Sequence, residues 1–163
     1  SIKAFFNANL ALTEPDPAYS FFESRAPVYT HPRFLPGSKL DSVQVNQSIV
    51  SEGCIVSHAT VERCLVGIRS VIGAGSTLRN TIMMGADLYE EDLPERDPGV
   101  PPMGIGRDCV IQRAIIDKNA RIGDAVVISP DGKPADLDAG NYYVRDRIVV
   151  IPKNAVIPNG QWI

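Results

Sequence analysis

Ile116-Asp-Lys-Asn-Ala-Arg-Ile122-Gly-Asp124 and Ile151-Pro-Lys-Asn-Ala-Val-Ile157-Pro-Asn159 are two copies of one pattern, in which a large aliphatic residue returns at the sixth position. Six is neither a helical nor a coiled-coil period. It suits a triangular coil whose flat sides are short strands and whose corners are tight turns. Three such hexads make one turn of a left-handed parallel β-helix. The large apolar residue points inward, and the small residue two positions before the next one (Gly53, Ser70, Ala120, Ala155) fits the narrow interior.

The ladder extends in both directions from these copies. Val43, Ile49, Ile55 and Val61 are expected to face inward, followed after a shorter step by Val66, Ile72, Leu78 and Met84. The pattern stops over residues 88–101, where Glu90, Glu91, Asp92, Glu95 and Asp97 stand among prolines, so this stretch reads as a solvated loop. It resumes at Val110, Ile116, Ile122 and Ile128. A second excursion over 129–147 carries Asp131-Gly132 and Ala139-Gly140 turn signals and a short strand near Tyr142 to Val144. Ile151, Ile157 and Ile163 close the ladder. The fold class is therefore all-β, with the β-helix over residues 40–163.

Two segments precede it. Ser1 to Leu12 reads as an amphipathic helix capped by Ser1, with Ile2, Phe5, Phe6 and Leu10 on one stripe. No partner surface lies near it in sequence, and an apolar helix at the first residue suggests a chain cut from something longer. Residues 13–39 are rich in proline and aromatics and read as an extended linker strapped onto a surface, because residues before proline avoid the α region.

Composition narrows the function. The 163 residues are 44% hydrophobic with a net charge of -3, enough to bury a core and too mildly charged for disorder. The slight acidity argues against nucleic acid as a partner, and no apolar run approaches the length of about 18 residues that signals a membrane span. Cys54, Cys64 and Cys109 lack CxxC spacing and sit among apolar residues, so they read as buried free thiols. His31 and His58 cannot supply the three ligands of a histidine-rich zinc site, and no metal site is expected. His58 reads as a corner residue. Gly73-Ala-Gly75 and Gly104-Ile-Gly106 are corner glycines rather than a dinucleotide fingerprint.

Ile116 and Ile151 lie 35 residues apart, one coil of about 18 residues plus an insertion about as long as the second excursion. Lys118 and Lys153 should therefore project side by side from one corner, about 4.8 Å apart along the stack. Asn119 and Asn154 suit the left-handed backbone of such corners. Two ammonium groups so placed either splay into water or hold an anion between them.

Several longer segments carry a resemblance. Ile2-Lys-Ala-Phe-Phe-Asn-Ala-Asn-Leu10, Ala26-Pro-Val-Tyr-Thr-His-Pro-Arg-Phe-Leu-Pro36, Val66-Gly-Ile-Arg-Ser70, Met84-Gly-Ala-Asp-Leu-Tyr-Glu90, Gly104-Ile-Gly106 and Ala114-Ile-Ile-Asp-Lys-Asn-Ala-Arg-Ile-Gly123 are similar to the C-terminal part of ADP-glucose pyrophosphorylase (glucose-1-phosphate adenylyltransferase), of the plant and cyanobacterial small-subunit type. The resemblance implies a parent reaction of ATP with glucose 1-phosphate, on the route to glycogen or starch. Catalytic residues and Mg2+ would belong to an N-terminal nucleotidyltransferase domain absent from this sequence. The helix over 1–12 would be the end of that domain, and this chain alone would be inactive.

The resemblance further implies tetramer assembly, homo- or heteromeric, and a site for phosphorylated effectors such as 3-phosphoglycerate and phosphate. Two effector lysines of the family match Lys118 and Lys153. A Gln-Pro-Arg of the linker matches His31-Pro32-Arg33, with histidine in place of glutamine. A cytoplasmic or plastid location goes with that reading. A hexapeptide-repeat acyltransferase and a non-catalytic β-helix scaffold are the rival readings; the first needs a catalytic histidine, and only His58 lies in the ladder.

Overall fold

The aliphatic residues of the ladder stand in neighbouring pairs, among them Ile55-Val56, Leu65-Val66, Val71-Ile72, Ile115-Ile116 and Val156-Ile157. A strand of two or three residues points one member of each pair inward and the other outward. In the computed structural model, which describes residues 1–163, these strands stack in parallel into a β-helix with three sides.

The first side stacks Lys39–Asp41, Ile55–Ser57, Val71–Ile72, Gly104–Ile105, Arg121–Ile122 and Val156–Ile157. The second stacks Gln44–Asn46, Thr60–Glu62, the start of Thr77–Met83, the start of Val110–Ile116, and Val127–Ile128. The third stacks Ile49–Val50, Leu65–Val66, the ends of Thr77–Met83 and Val110–Ile116, and Ile148–Ile151. The two long strands turn the corner between the second and third sides at Asn80 and Arg113, both with positive φ.

The interior is a column of Val56, Val61, Val66, Ile72, Leu78, Met83, Ile105, Ile111, Ile116, Ile122, Ile128, Ile151, Ile157 and Ile163, all buried. Its steps are five and six residues, not a uniform six. The corner from second to third side always takes five (Val61 to Val66, Leu78 to Met83, Ile111 to Ile116), whereas the corner from third to first always takes six (Val66 to Ile72, Ile116 to Ile122, Ile151 to Ile157). The expected register is therefore corrected by one residue at several positions. Ile55 and Val110 face outward, 44% and 47% exposed, while Val56 and Ile111 are inside at 1% and 0%. Ile49 and Met84 are half-buried on the outside and Val43 is half-buried beside the first corner.

The position two residues before most of the inward aliphatics is buried as well. Cys54, Cys64 and Cys109 all occupy it, as do Ala59, Ser70, Ser76 and Ala120. The thiols are free. Burial pushes all three up, Cys64 to about 11, which keeps them protonated and unreactive at neutral pH.

Helix α1 spans Ile2–Ala11, with the Ser1 hydroxyl accepting from the Ala4 amide at 3.2 Å. It does find a surface on this chain: Phe6 and Leu10 are buried against Ile82, Ile115 and Ile148 on the outside of the third side. Arg113 adds its guanidinium over the Phe6 ring, and Arg63 reaches Glu14 at 3.3 Å. By contrast, the linker aromatics are not strapped down. Phe22, Tyr29 and Phe34 stand almost wholly exposed.

The first excursion leaves the corner between third and first sides after Met83 and returns at Gly104, with a single 3-10 turn at Glu90–Asp92. The second leaves the five-residue corner and forms an antiparallel hairpin, Leu137–Asp138 with Tyr143–Arg145, that pairs with Ile148–Ile151. The hairpin covers the edge of the sheet where an uncovered strand would be open to pairing.

Candidate functional site

The six-residue corner gathers the charged groups. Its rungs are set by backbone bonds from Ala86 N to Ile68 O, Asn119 N to Gly85 O, and Asn154 N to Lys118 O. Gly53, Arg69, Ala86, Asn119 and Asn154 thus stand in one file, with Glu52, Ile68, Gly85, Lys118 and Lys153 in the file before it. Asn119 and Asn154 have φ of 61° and 62°, the left-handed conformation that asparagine tolerates better than most residues. Gly85 has φ of 87°, and a Cβ there would lie 2.1 Å from the Ile68 carbonyl oxygen, so only glycine lets this rung stack.

Lys118 and Lys153 project from adjacent rungs and converge on one carboxylate, that of Asp87. Lys118 Nζ lies 2.8 Å from Asp87 Oδ1 and Lys153 Nζ 3.0 Å from Asp87 Oδ2. Asn119 binds the same residue twice. Its Nδ2 donates to Asp87 Oδ2 at 3.0 Å and its Oδ1 accepts from the Asp87 amide at 2.8 Å, while Nδ2 also reaches Asn154 Oδ1 at 3.2 Å. The hydrogen bond from Lys118, then those from Lys153 and Asn119, hold the Asp87 carboxyl far below the usual carboxylate range. It is ionised at neutral pH. The cluster is not buried: the Asp87 side chain keeps 42% of its exposure and Lys153 50%.

His31 and Arg33 are exposed and lie apart from this pair. They line an open depression of about 720 Å3 with Tyr29, Leu35, Glu52 and Ile68. Ile68 belongs to the same corner as Lys118, two rungs away, roughly 10 Å along the stack at the usual strand spacing. Neither His31 nor Arg33 takes part in a salt bridge with the β-helix. Between the two groups stands Arg69, whose guanidinium lies 5.7 Å from the Tyr89 ring centroid and donates to the Ala86 carbonyl at 3.4 Å. The corner therefore carries Arg69, Lys118 and Lys153, interrupted by Asp87, with Glu52 at its start and Arg33 on the linker beside Glu52 and Ile68.

Sequence reasoning missed Asp87 and Arg69. It also misread Glu90 as part of a solvated loop. Glu90 accepts two bonds from Arg121 Nη1 at 2.9 Å and one from the Met103 amide at 2.9 Å. Burial pushes its carboxyl up, but Arg121 and that amide together bring it below its ordinary value. Tyr89 next to it donates to the Gly53 carbonyl at 3.0 Å. The excursion is thus pinned at its base by Asp87, Tyr89 and Glu90, and it borders an open hollow of about 250 Å3 beside Asp87, lined by Leu88, Leu93, Val100 and Met103.

His58 sits on a different corner with φ of 46°, its Nδ1 4.0 Å from an Asp41 carboxylate oxygen. No group of three or more histidine, cysteine or acidic side chains is placed to hold a metal ion. What the lysine corner can do chemically is bind a small anion, since two ammonium groups from adjacent rungs face one position.

Residues 33–162 match a family model described as the GLGC left-handed parallel β-helix domain. That span takes in His31-Pro-Arg33 only at its last residue, and it contains both lysines and Asp87. It gives the three-sided stack its hand. The chain belongs to this family, the left-handed β-helix domain of the ADP-glucose pyrophosphorylases.

Proposed function

We propose that this chain is the regulatory and assembly domain of a glucose-1-phosphate adenylyltransferase of the plant and cyanobacterial small-subunit type. In this reading residues 40–163 form the regulatory domain, residues 13–39 link it to a nucleotidyltransferase domain, and α1 is the last helix of that domain, resting on the β-helix. The catalytic residues and Mg2+ belong to the nucleotidyltransferase part, and this chain has no catalytic residue of its own. Tetramer assembly, in the cytoplasm or a plastid, goes with the same reading.

The observation that carries the proposal is the convergence of Lys118 and Lys153 on a single carboxylate position. A phosphate or 3-phosphoglycerate there would form charge-assisted bonds to both ammonium groups. Arg33 on the linker, near the same corner, would supply a further cation once the domains meet, with His31 beside it. An anion held between linker and β-helix biases the relative position of two domains, and such a differential contact is what coupling between sites requires. In the complete enzyme, Lys118→Ala together with Lys153→Ala should raise the activator concentration for half-maximal activation more than about tenfold, the loss of two charge-assisted contacts. An activation curve that does not move would refute the assignment.

A further inference from the structure

We infer that Asp87 is a tethered competitor for the anion site, a carboxylate that an incoming phosphate dianion must displace from Lys118 and Lys153. The inference rests on the reading of the lysine pair as an anion site and adds a built-in occupant to it.

Three observations lead there. Each lysine has one anionic partner, and it is the same carboxylate, with one oxygen taken by each ammonium. A phosphate bridging the two ammonium groups needs that same position, so both anions cannot bind together. Second, the carboxylate can leave: besides the lysines it gives up only the Asn119 Nδ2 donor, which keeps Asn154 Oδ1 as a partner. Its side chain is 42% exposed, and the backbone is held independently through the Asp87 amide on Asn119 Oδ1. A rotation about the Asp87 side-chain bonds releases the lysines with the corner intact. Third, the charge is unequal. One carboxylate between two ammonium groups leaves an excess of positive charge, whereas a phosphate dianion neutralises it. The tether therefore screens out weak monoanions, which gain little over Asp87, and yields to phosphorylated ligands.

The position of Asp87 gives the exchange a mechanical consequence. It is the first pin of the excursion, followed by Tyr89 on Gly53 and Glu90 on Arg121. Displacement of its carboxylate leaves the Asp87 amide on Asn119 as the sole hold at that pin, while the other two remain.

Competition lowers apparent affinity by the fraction of molecules in which Asp87 is turned away. Two half-exposed ion pairs acting together correspond to a factor of about ten. The test is a titration of this chain with inorganic phosphate at constant ionic strength, above the second phosphate pKa, followed by the NMR signals of the Lys118 and Lys153 ε-methylenes. The isosteric Asp87→Asn chain should bind phosphate about tenfold more tightly than the unaltered chain, and Lys118→Ala with Lys153→Ala should abolish the gain. In the unaltered chain the Asp87 carboxyl carbon should move toward its free value as the lysine signals saturate, a readout that does not depend on any variant folding. Phosphate binding that is no tighter in Asp87→Asn, or an Asp87 signal that stays still while the lysines respond, overturns the tethered competitor and leaves the anion site standing. Lysine signals that ignore phosphate in both chains overturn the two together.

Discussion

Asp87, Glu90 and Asp124 share a feature that bulk titration can reach. Each carboxyl is held below its ordinary value: Asp87 by Lys118, Lys153 and Asn119, Glu90 by Arg121 and the Met103 amide against its own burial, and Asp124 by the amide and then the guanidinium of Arg107. A depressed folded-state value means that the unfolded chain takes up protons first as pH falls. The stabilisation is therefore complete above the unfolded carboxylate values near pH 4 and is lost progressively as pH drops through the folded ones. Urea unfolding should show a midpoint that is flat near neutrality and falls below about pH 5. In Asp87→Asn the fall should be shallower, and an equally steep fall would show that the Asp87 pairs contribute nothing. At this scale the sequence was half legible. The two Lys-Asn repeats announced themselves because both copies lie in the ladder. Asp87 did not, because its meaning depends on where the chain stands as it leaves the corner, and no repeat marks that point.

Among the elements, a strand of two aliphatic residues gives no sign of which one faces in. Choosing Ile55 over Val56 or Val110 over Ile111 slips the register by one, and a slip of one exchanges inside for outside. The ladder is legible where the pair is flanked by a complete hexad, as at Ile116 and Ile122, and ambiguous where corners take five residues. The mutational contrast is direct. Val56→Ala should cost about 2 kcal/mol, as expected for a buried branched side chain, and Ile55→Ala should stay within about 0.5 kcal/mol, as expected at the surface. Chemical denaturation of the two variants measures both, and comparable losses would return Ile55 to the interior. The same doubled aliphatics held a signal for α1. Ile82, Ile115 and Val150 place an outward aliphatic on three successive coils of one side, an apolar stripe that a helix can cover. The cover is Phe6 and Leu10.

For the whole molecule, each coil contacts only its neighbours, so the β-helix behaves as a one-dimensional stack whose corners hold side chains at fixed spacing. That regularity turns a sequence repeat of 35 residues into two ammonium groups facing one point. Composition and spacing carried the fold class and the lysine pair this far. Placement of His31 and Arg33 was beyond them, because the linker has no repeat to fix its register against the ladder. In the proposed function the Lys118 and Lys153 corner is an anion site filled by the chain's own carboxylate. Diffraction from crystals of this chain equilibrated with selenate, a tetrahedral dianion with an anomalous scatterer, tests it most directly. An anomalous peak is expected between Lys118 Nζ and Lys153 Nζ, with the Asp87 carboxylate turned out of that position. Selenate found only elsewhere, with Asp87 still bridging both lysines, would contradict it.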